Sequence, residues 1–216
     1  MTHMLSKTNL LLAVPPTEMM AAQGFGLTLA HMAYRVGGGP HLFRANLPVP
    51  VRGGVMLIDD AGFDGRGDPA PFCQEVVREC AARGYTGVIC DFDRHLPLLG
   101  QVIAGLSPLL AKRGWPLYVP EPYGRYSATA KVLIPTALSG GSLQVRLQEA
   151  VQQYGAARVA LAVERSAEDF FLPSPNGQGI RLTQEELQQR IQEREPVIFF
   201  SNELCAHYFT YMNRQN

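Results

Sequence analysis

Eight short apolar runs, spaced along almost the whole chain, constrain the fold more than any other feature of the sequence. Most of these runs are continuously apolar rather than alternating, which is typical of strands that are buried on both faces. The 216 residues, divided among eight runs, leave 27 residues for each, enough for a strand, a short helix and two turns. The runs cover residues 10–14, 27–36, 54–59, 86–91, 116–119, 131–134, 159–163 and 197–200.

Amphipathic segments with readable ends follow several of these runs. Asp68 can cap a helix that has Pro69 at its first position and stops at Gly84. The stretch 37–53, rich in glycine and proline, is predicted to be a loop. Further helices are predicted at residues 96–113, 143–154 and 203–213. Another helix is predicted to begin at a capping box formed by Thr183 and Glu186.

The alternation of strands and helices predicts parallel βαβ units. About eight such units favour one α/β fold in particular: a compact (β/α)8 TIM-like barrel with some short or missing helices. We expect one domain over residues 1–216, since no linker marks a boundary. A doubly wound open sheet is the alternative.

The composition excludes several classes of protein. Nineteen basic and nineteen acidic side chains cancel, so the chain lacks the basic surplus of a nucleic-acid binder. A hydrophobic content of 46% excludes global disorder. The N-terminal apolar run is too short to span a bilayer and ends in Pro-Pro without a small-residue cleavage site. We therefore predict a cytoplasmic protein with no nucleic-acid or membrane partner, and the oligomeric state stays open.

The cysteines form no CxxC pair and lie in apolar or periodic segments. This pattern predicts buried free thiols in a reducing compartment. Because no second pair of ligands accompanies them, no metal and no cofactor is predicted. The four cysteines are Cys73, Cys80, Cys90 and Cys205.

Acidic residues gather where the predicted strands end. The carboxyl ends of barrel strands build the active-site rim, so acids there favour a cleft for carbohydrate or another small polar ligand. Asp60 can instead cap the turn that follows it. The residues predicted to bind substrate are Asp59, Glu121, Tyr123, Glu164 and Glu203.

The fourth run carries the two candidate catalytic residues. Side chains alternate along a strand, so Ile89, Asp91 and Asp93 face one way while Cys90 and Phe92 face the other. Two carboxylates two residues apart repel when both are ionised, which raises the pKa of one of them. Such a pair could protonate a glycosidic oxygen and orient a neighbouring group.

The segment Gly84-Tyr85-Thr86-Gly87-Val88-Ile89-Cys90-Asp91-Phe92-Asp93 resembles the fourth-strand signature of glycoside hydrolase family 18, the chitinase-like barrels. That signature is an aromatic residue followed by Asp-Gly-x-Asp-x-Asp-x-Glu. Gly84, Tyr85, Gly87 and Asp91 match it, and Phe92 matches an aromatic residue common there. The resemblance implies that Asp93 is the general acid and that Asp91 orients the N-acetyl group of the substrate.

The chain departs from the family pattern at several positions. Thr86 and Ile89 replace two acids, and Asp93 is a methylene shorter than the expected glutamate. Asp59-Asp60-Ala61-Gly62 stands where the family has Ser-x-Gly-Gly, and its sixth-strand Met-x-Tyr-Asp element is not found. A catalytically inactive barrel that binds a glycan or a protein partner is therefore the alternative function.

A third hypothesis rests on the turn after the sixth run. Gly140, Gly141 and Ser142 open a helix there, and the amides of a helix N-terminus attract anions. A lyase, isomerase or aldolase barrel with a phosphate-binding turn would use these residues.

Overall fold

A curled, mainly parallel sheet forms the centre of the protein. The computed structural model of the chain describes residues 10–23, 28–51, 53–135, 143–163, 171–172, 180–181 and 197–199. The main sheet contains β1 (Leu10–Val14), β2 (Thr28–Gly37), β3 (His41–Arg44), β4 (Val55–Asp59), β5 (Val88–Asp91), β6 (Leu117–Pro120), β7 (Lys131–Pro135), β8 (Val159–Val163) and β11 (Val197–Phe199). A separate antiparallel pair consists of β9 (Phe171–Leu172) and β10 (Ile180–Arg181). All eight predicted strands are confirmed.

The parallel pairings follow the order of the strands in the chain. They run from β2 through β4, β5, β6, β7 and β8 to β11. Strand β1 pairs on one side with β2 and on the other with β11, so the first and last strands of this sheet are neighbours. The predicted α/β class with a parallel sheet is therefore confirmed.

The helices lie between the strands. They are α1 (Met19–Ala22), α2 (Pro69–Arg83), α3 (Pro97–Ala111) and α4 (Leu143–Tyr154), with 3-10 turns at Pro16–Glu18, Glu121–Tyr126 and Ala156–Arg158. Helix α2 has the predicted ends: the Asp68 side chain accepts from the Ala70 amide at 3.0 Å, and Gly84 is left-handed with φ of 82°. The helices predicted near Thr183 and at 203–213 lie outside the described residues.

Two apolar layers cover the faces of the sheet. One is the inner-face cluster, which contains Leu11, Ala13, Ala30, Val55, Leu57, Ile89, Tyr118, Leu133, Ala160 and Ala162. The other lies between the sheet and helices α2 and α3. Ile89 belongs to the inner-face cluster, whereas Cys90 and Phe92 belong to the outer layer. The predicted alternation is therefore confirmed for Ile89, Cys90 and Phe92.

The stretch 37–53 is not entirely a loop, which corrects the prediction. Residues 41–44 form β3, which pairs with the end of β2 in an antiparallel hairpin. The Leu42 amide donates to the Glu75 carboxylate on α2 at 3.2 Å, and Arg44 donates to Glu79 at 2.9 Å. A four-residue strand is held here by contacts with a helix more than thirty residues away, which the local sequence could not reveal.

Three of the four cysteines can be placed. Cys73, Cys80 and Cys90 are buried free thiols, as predicted, and Cys205 lies outside the described residues. Burial raises the pKa of Cys73 to about 11 and that of Cys80 to about 12, so both thiols are protonated at neutral pH. No helix in the described part of the chain is long and apolar enough to cross a membrane.

Candidate functional site

The carboxyl ends of β2, β4 and β5 place three charged residues in a row. Arg35 is the register partner of Asp59, and Asp59 is the register partner of Asp91. Leu57 and Ile89, two residues earlier on β4 and β5, belong to the inner-face cluster. Because side chains alternate along a strand, Asp59 and Asp91 lie on the same inner face, at the rim.

Asp59 forms an ion pair with Arg35 on the neighbouring strand β2. The Arg35 Nε donates to the Asp59 Oδ1 at 2.8 Å, and the Ala61 amide donates to the same oxygen at 2.9 Å. Both side chains are solvent-accessible. A water-exposed ion pair of this kind adds little stability, so its groups are available to a ligand.

Asp60 connects the ends of two strands. Its carboxylate is buried and accepts hydrogen bonds from the backbone amides of Asp93 at 3.1 Å and Arg94 at 3.0 Å. The expectation that Asp60 caps its own turn is wrong, since Asp59 is the residue that accepts from Ala61. The side chain of Asp60 instead holds the loop after β5 against the loop after β4.

Asp93 lies in that held loop, two residues beyond the end of β5. Its side chain is exposed. Partial desolvation by the loop raises the pKa of Asp93 above its ordinary value, and the negative charges of Asp60 and Asp59 raise it further. The like charges that act on Asp93 thus come from the last residue of β4 and the residue after it, and not from Asp91 as the sequence spacing suggested.

An aromatic cluster packs beneath the Asp93 loop. Tyr123 is buried, its ring is edge-on to Phe92 and stacks with His95, and its hydroxyl donates to the backbone carbonyl of Arg94. The Arg94 guanidinium donates to the Phe63 carbonyl. Tyr123, predicted to bind substrate, therefore positions the loop that carries Asp93.

Glu121 belongs to a different set of contacts. Its carboxylate forms an ion pair with Arg146 on α4, and its backbone carbonyl accepts from the Tyr154 hydroxyl at 3.1 Å. The structure thus joins Asp59, Asp60, Asp91 and Asp93 at the ends of β4 and β5, and it ties Glu121 to α4.

The remaining predicted site residues cannot be placed. Glu164, Glu203, Gly140, Gly141 and Ser142 all lie outside the described residues. Among the described ranges, no group of three or more His, Cys, Asp or Glu could hold a metal ion.

Sequence reasoning missed Arg35 as the partner of Asp59. The pairing of β2 with β4 shifts register between His31 and Tyr34. Simple alternation along β2 therefore does not predict that Arg35 lies on the same face of the sheet as Asp59. The sequence signal was present only in part: a basic residue near the end of an apolar run.

The fold and the site together define an α/β protein with a barrel-like curled sheet and an acidic rim. A solved structure with this fold is the spore cortex-lytic enzyme SleL of Bacillus megaterium QM B1551, with a TM-score of 0.55. The two chains are 13% identical, and the alignment covers 84% of this chain. At this identity the likeness shows the fold alone.

The chain spans only 56% of the length of that SleL chain. No family model matches this sequence, and no curated protein matches it.

Proposed function

We propose that this protein is a glycoside-hydrolase-like barrel that acts on or binds an N-acetyl-sugar polymer. The observation that carries the proposal is the acidic rim formed by Asp59, Asp91 and Asp93 in a fold shared with a cortex-lytic enzyme. The fourth-strand resemblance to glycoside hydrolase family 18 supports the same class of ligand. We further propose a complete (β/α)8 barrel as its single domain.

In this proposal Asp93 is the general acid. A raised pKa keeps a larger fraction of the carboxyl protonated near neutral pH, which is what proton donation to a leaving glycosidic oxygen requires. Asp91, two residues earlier and on the inner face, would orient the N-acetyl group. The backbone amides of Asp93 and Arg94 donate to the Asp60 carboxylate, which supports this role because these bonds hold the loop in one position.

The second candidate function is a catalytically inactive barrel that binds a glycan or a protein partner. Asp93 is a methylene shorter than the glutamate of the family signature, and a misplacement of about an ångström can cost about a hundredfold in rate. The solvent-accessible ion pair between Asp59 and Arg35 suits this candidate too, because its donors and acceptors can bind a ligand without any proton transfer.

Hydrolysis assays decide between the two. Chitooligosaccharides and peptidoglycan fragments are incubated with the wild type, with Asp93→Asn and with Glu149→Gln, which removes an exposed acid on α4 as a matched control. We expect turnover by the wild type and the control, and loss of turnover in Asp93→Asn. Equal activity in Asp93→Asn would remove Asp93 from the mechanism, and binding without turnover by the wild type would establish the inactive alternative.

A further inference from the structure

We propose that Phe43 and the Arg35–Asp59 ion pair form a binding platform for one sugar ring of an extended glycan, next to the acidic rim. This inference rests on the proposed function and assigns a subsite to it. It draws on the β2–β3 hairpin, none of whose residues is among the predicted site residues.

The two faces of the hairpin have different roles. On the outer face, the Tyr34 hydroxyl donates to Glu79 at 3.0 Å, and Val36 and Leu42 pack against the layer that contains α2. Arg35 and its register partner Phe43 occupy the opposite face. Since Arg35 is in register with Asp59, this second face continues the inner face of the sheet.

Phe43 lies against the backbone of Gly37. A Cβ atom built at Gly37 would lie 2.1 Å from the Phe43 Cε2, so only glycine lets the ring approach this closely. Such an aromatic–glycine contact between diagonal neighbours is a known way to stabilise a strand pair. It leaves Phe43 57% exposed, so one side of the ring is open to a ligand.

Four register partners connect this ring to the candidate catalytic strand. Phe43, Arg35, Asp59 and Asp91 lie opposite one another on β3, β2, β4 and β5. The two ends of the row are three strand spacings apart, and since each spacing is about 4.8 Å, the distance between β3 and β5 is at most about 14 Å. A ligand that contacts both Phe43 and Asp91 must therefore be an extended molecule rather than a single small ring.

The groove beside Phe43 has the chemistry that a sugar requires. It has a volume of about 280 Å³, and its lining includes Met32, Phe43, Arg35 and Asp59. An aromatic face suits the C–H groups on one face of a pyranose, since its π cloud is negative. The guanidinium supplies donors and the carboxylate supplies acceptors for the hydroxyl groups at the edge of the ring.

Binding measurements on the full chain test the platform. N-acetylglucosamine oligomers of one to six units are titrated calorimetrically into the wild type, Phe43→Ala and Phe43→Trp. Trp115→Ala is the control, because Trp115 is a part-buried aromatic just before β6, at the amino ends of the strands and away from the rim. We expect Phe43→Ala to bind the hexamer roughly 3- to 10-fold more weakly, while Phe43→Trp and Trp115→Ala keep wild-type affinity within about 2-fold.

The outcomes separate this inference from the proposed function. If the wild type binds the hexamer and Phe43→Ala binds it equally well, the platform is refuted while the proposed function stands. If the wild type binds no oligomer at all, both are overturned. A Phe43→Trp variant that binds as weakly as Phe43→Ala would also refute the platform, because it keeps the aromatic surface.

Discussion

The buried Asp60 carboxylate accepts a hydrogen bond from the backbone amide of Asp93 at 3.1 Å, across the ends of two neighbouring strands. This bond places the candidate acid through its main chain and leaves its side chain free to reach solvent. The same carboxylate also raises the pKa of Asp93 by its charge. One buried residue therefore holds the main chain of the exposed one and adds to the rise in its pKa, which desolvation causes first.

Replacing Asp60 by asparagine is expected to lower the free energy of unfolding by about 1–3 kcal/mol. The amide keeps one acceptor oxygen but turns an NH₂ group toward one of the two part-buried backbone N–H groups, which loses its acceptor. Urea unfolding measures the change. Asp64→Asn is the control, because Asp64 is exposed and its carboxylate accepts from the nearby Arg66 amide. A loss of stability there as large as in Asp60→Asn would count against the special role of Asp60.

The pKa of Asp93 is expected to lie above 3.8 in the wild type and to fall when a neighbouring negative charge is removed. Asp59→Asn removes one of the two charges without touching the bonds from Asp60 to the loop. Carbon-detected NMR titration of the Asp93 carboxyl gives the value directly. A pKa that does not move in Asp59→Asn would mean that the Asp59 charge does not act on Asp93.

His31 is expected to make the protein lose stability as the pH falls. It is buried with its Nδ1 2.9 Å from the Tyr85 hydroxyl, and burial lowers its pKa from 6.5 to about 4. Between these values the unfolded chain binds a proton that the folded chain does not. This residue's contribution to the free energy of unfolding is therefore full above pH 6.5 and declines by up to about 1.4 kcal/mol per pH unit down to about pH 4.

Urea unfolding of the wild type and His31→Gln between pH 4 and 7.5 isolates this effect from that of the carboxylates. The difference in stability between the two proteins should shrink as the pH falls. A constant difference across the range would show that His31 does not titrate in this way.

Gly100→Ala is expected to destabilise the protein by about 1–3 kcal/mol, although alanine favours a helix. A Cβ atom at this buried position in α3 would lie 2.5 Å from the Tyr126 Cζ, so the tyrosine ring would have to move. Thermal unfolding measures the loss. Gln101→Ala, at the exposed next position of the same helix, should change stability by less than about 0.5 kcal/mol. Equal losses of stability at both positions would show that a clash with Tyr126 is not the cause.

The sequence by itself determined the features that depend on neighbouring residues. Apolar runs marked the eight strands of the main parallel sheet, and Asp68, Pro69 and Gly84 marked both ends of α2, because hydrophobic burial and helix capping are read from adjacent positions. The same local alternation placed Asp91 on the inner face of the sheet.

Only the tertiary structure decided which distant groups meet at the rim. The hairpin of β3 depends on α2, the pairing of Arg35 with Asp59 depends on a register shift in β2, and the bond from Asp60 to Asp93 crosses between strand ends. These contacts join residues that are 24 to 33 positions apart in the chain, and no local sequence pattern reports them. The acids could be found from the sequence, but their partners could not, because strand register and loop packing are properties of the folded chain.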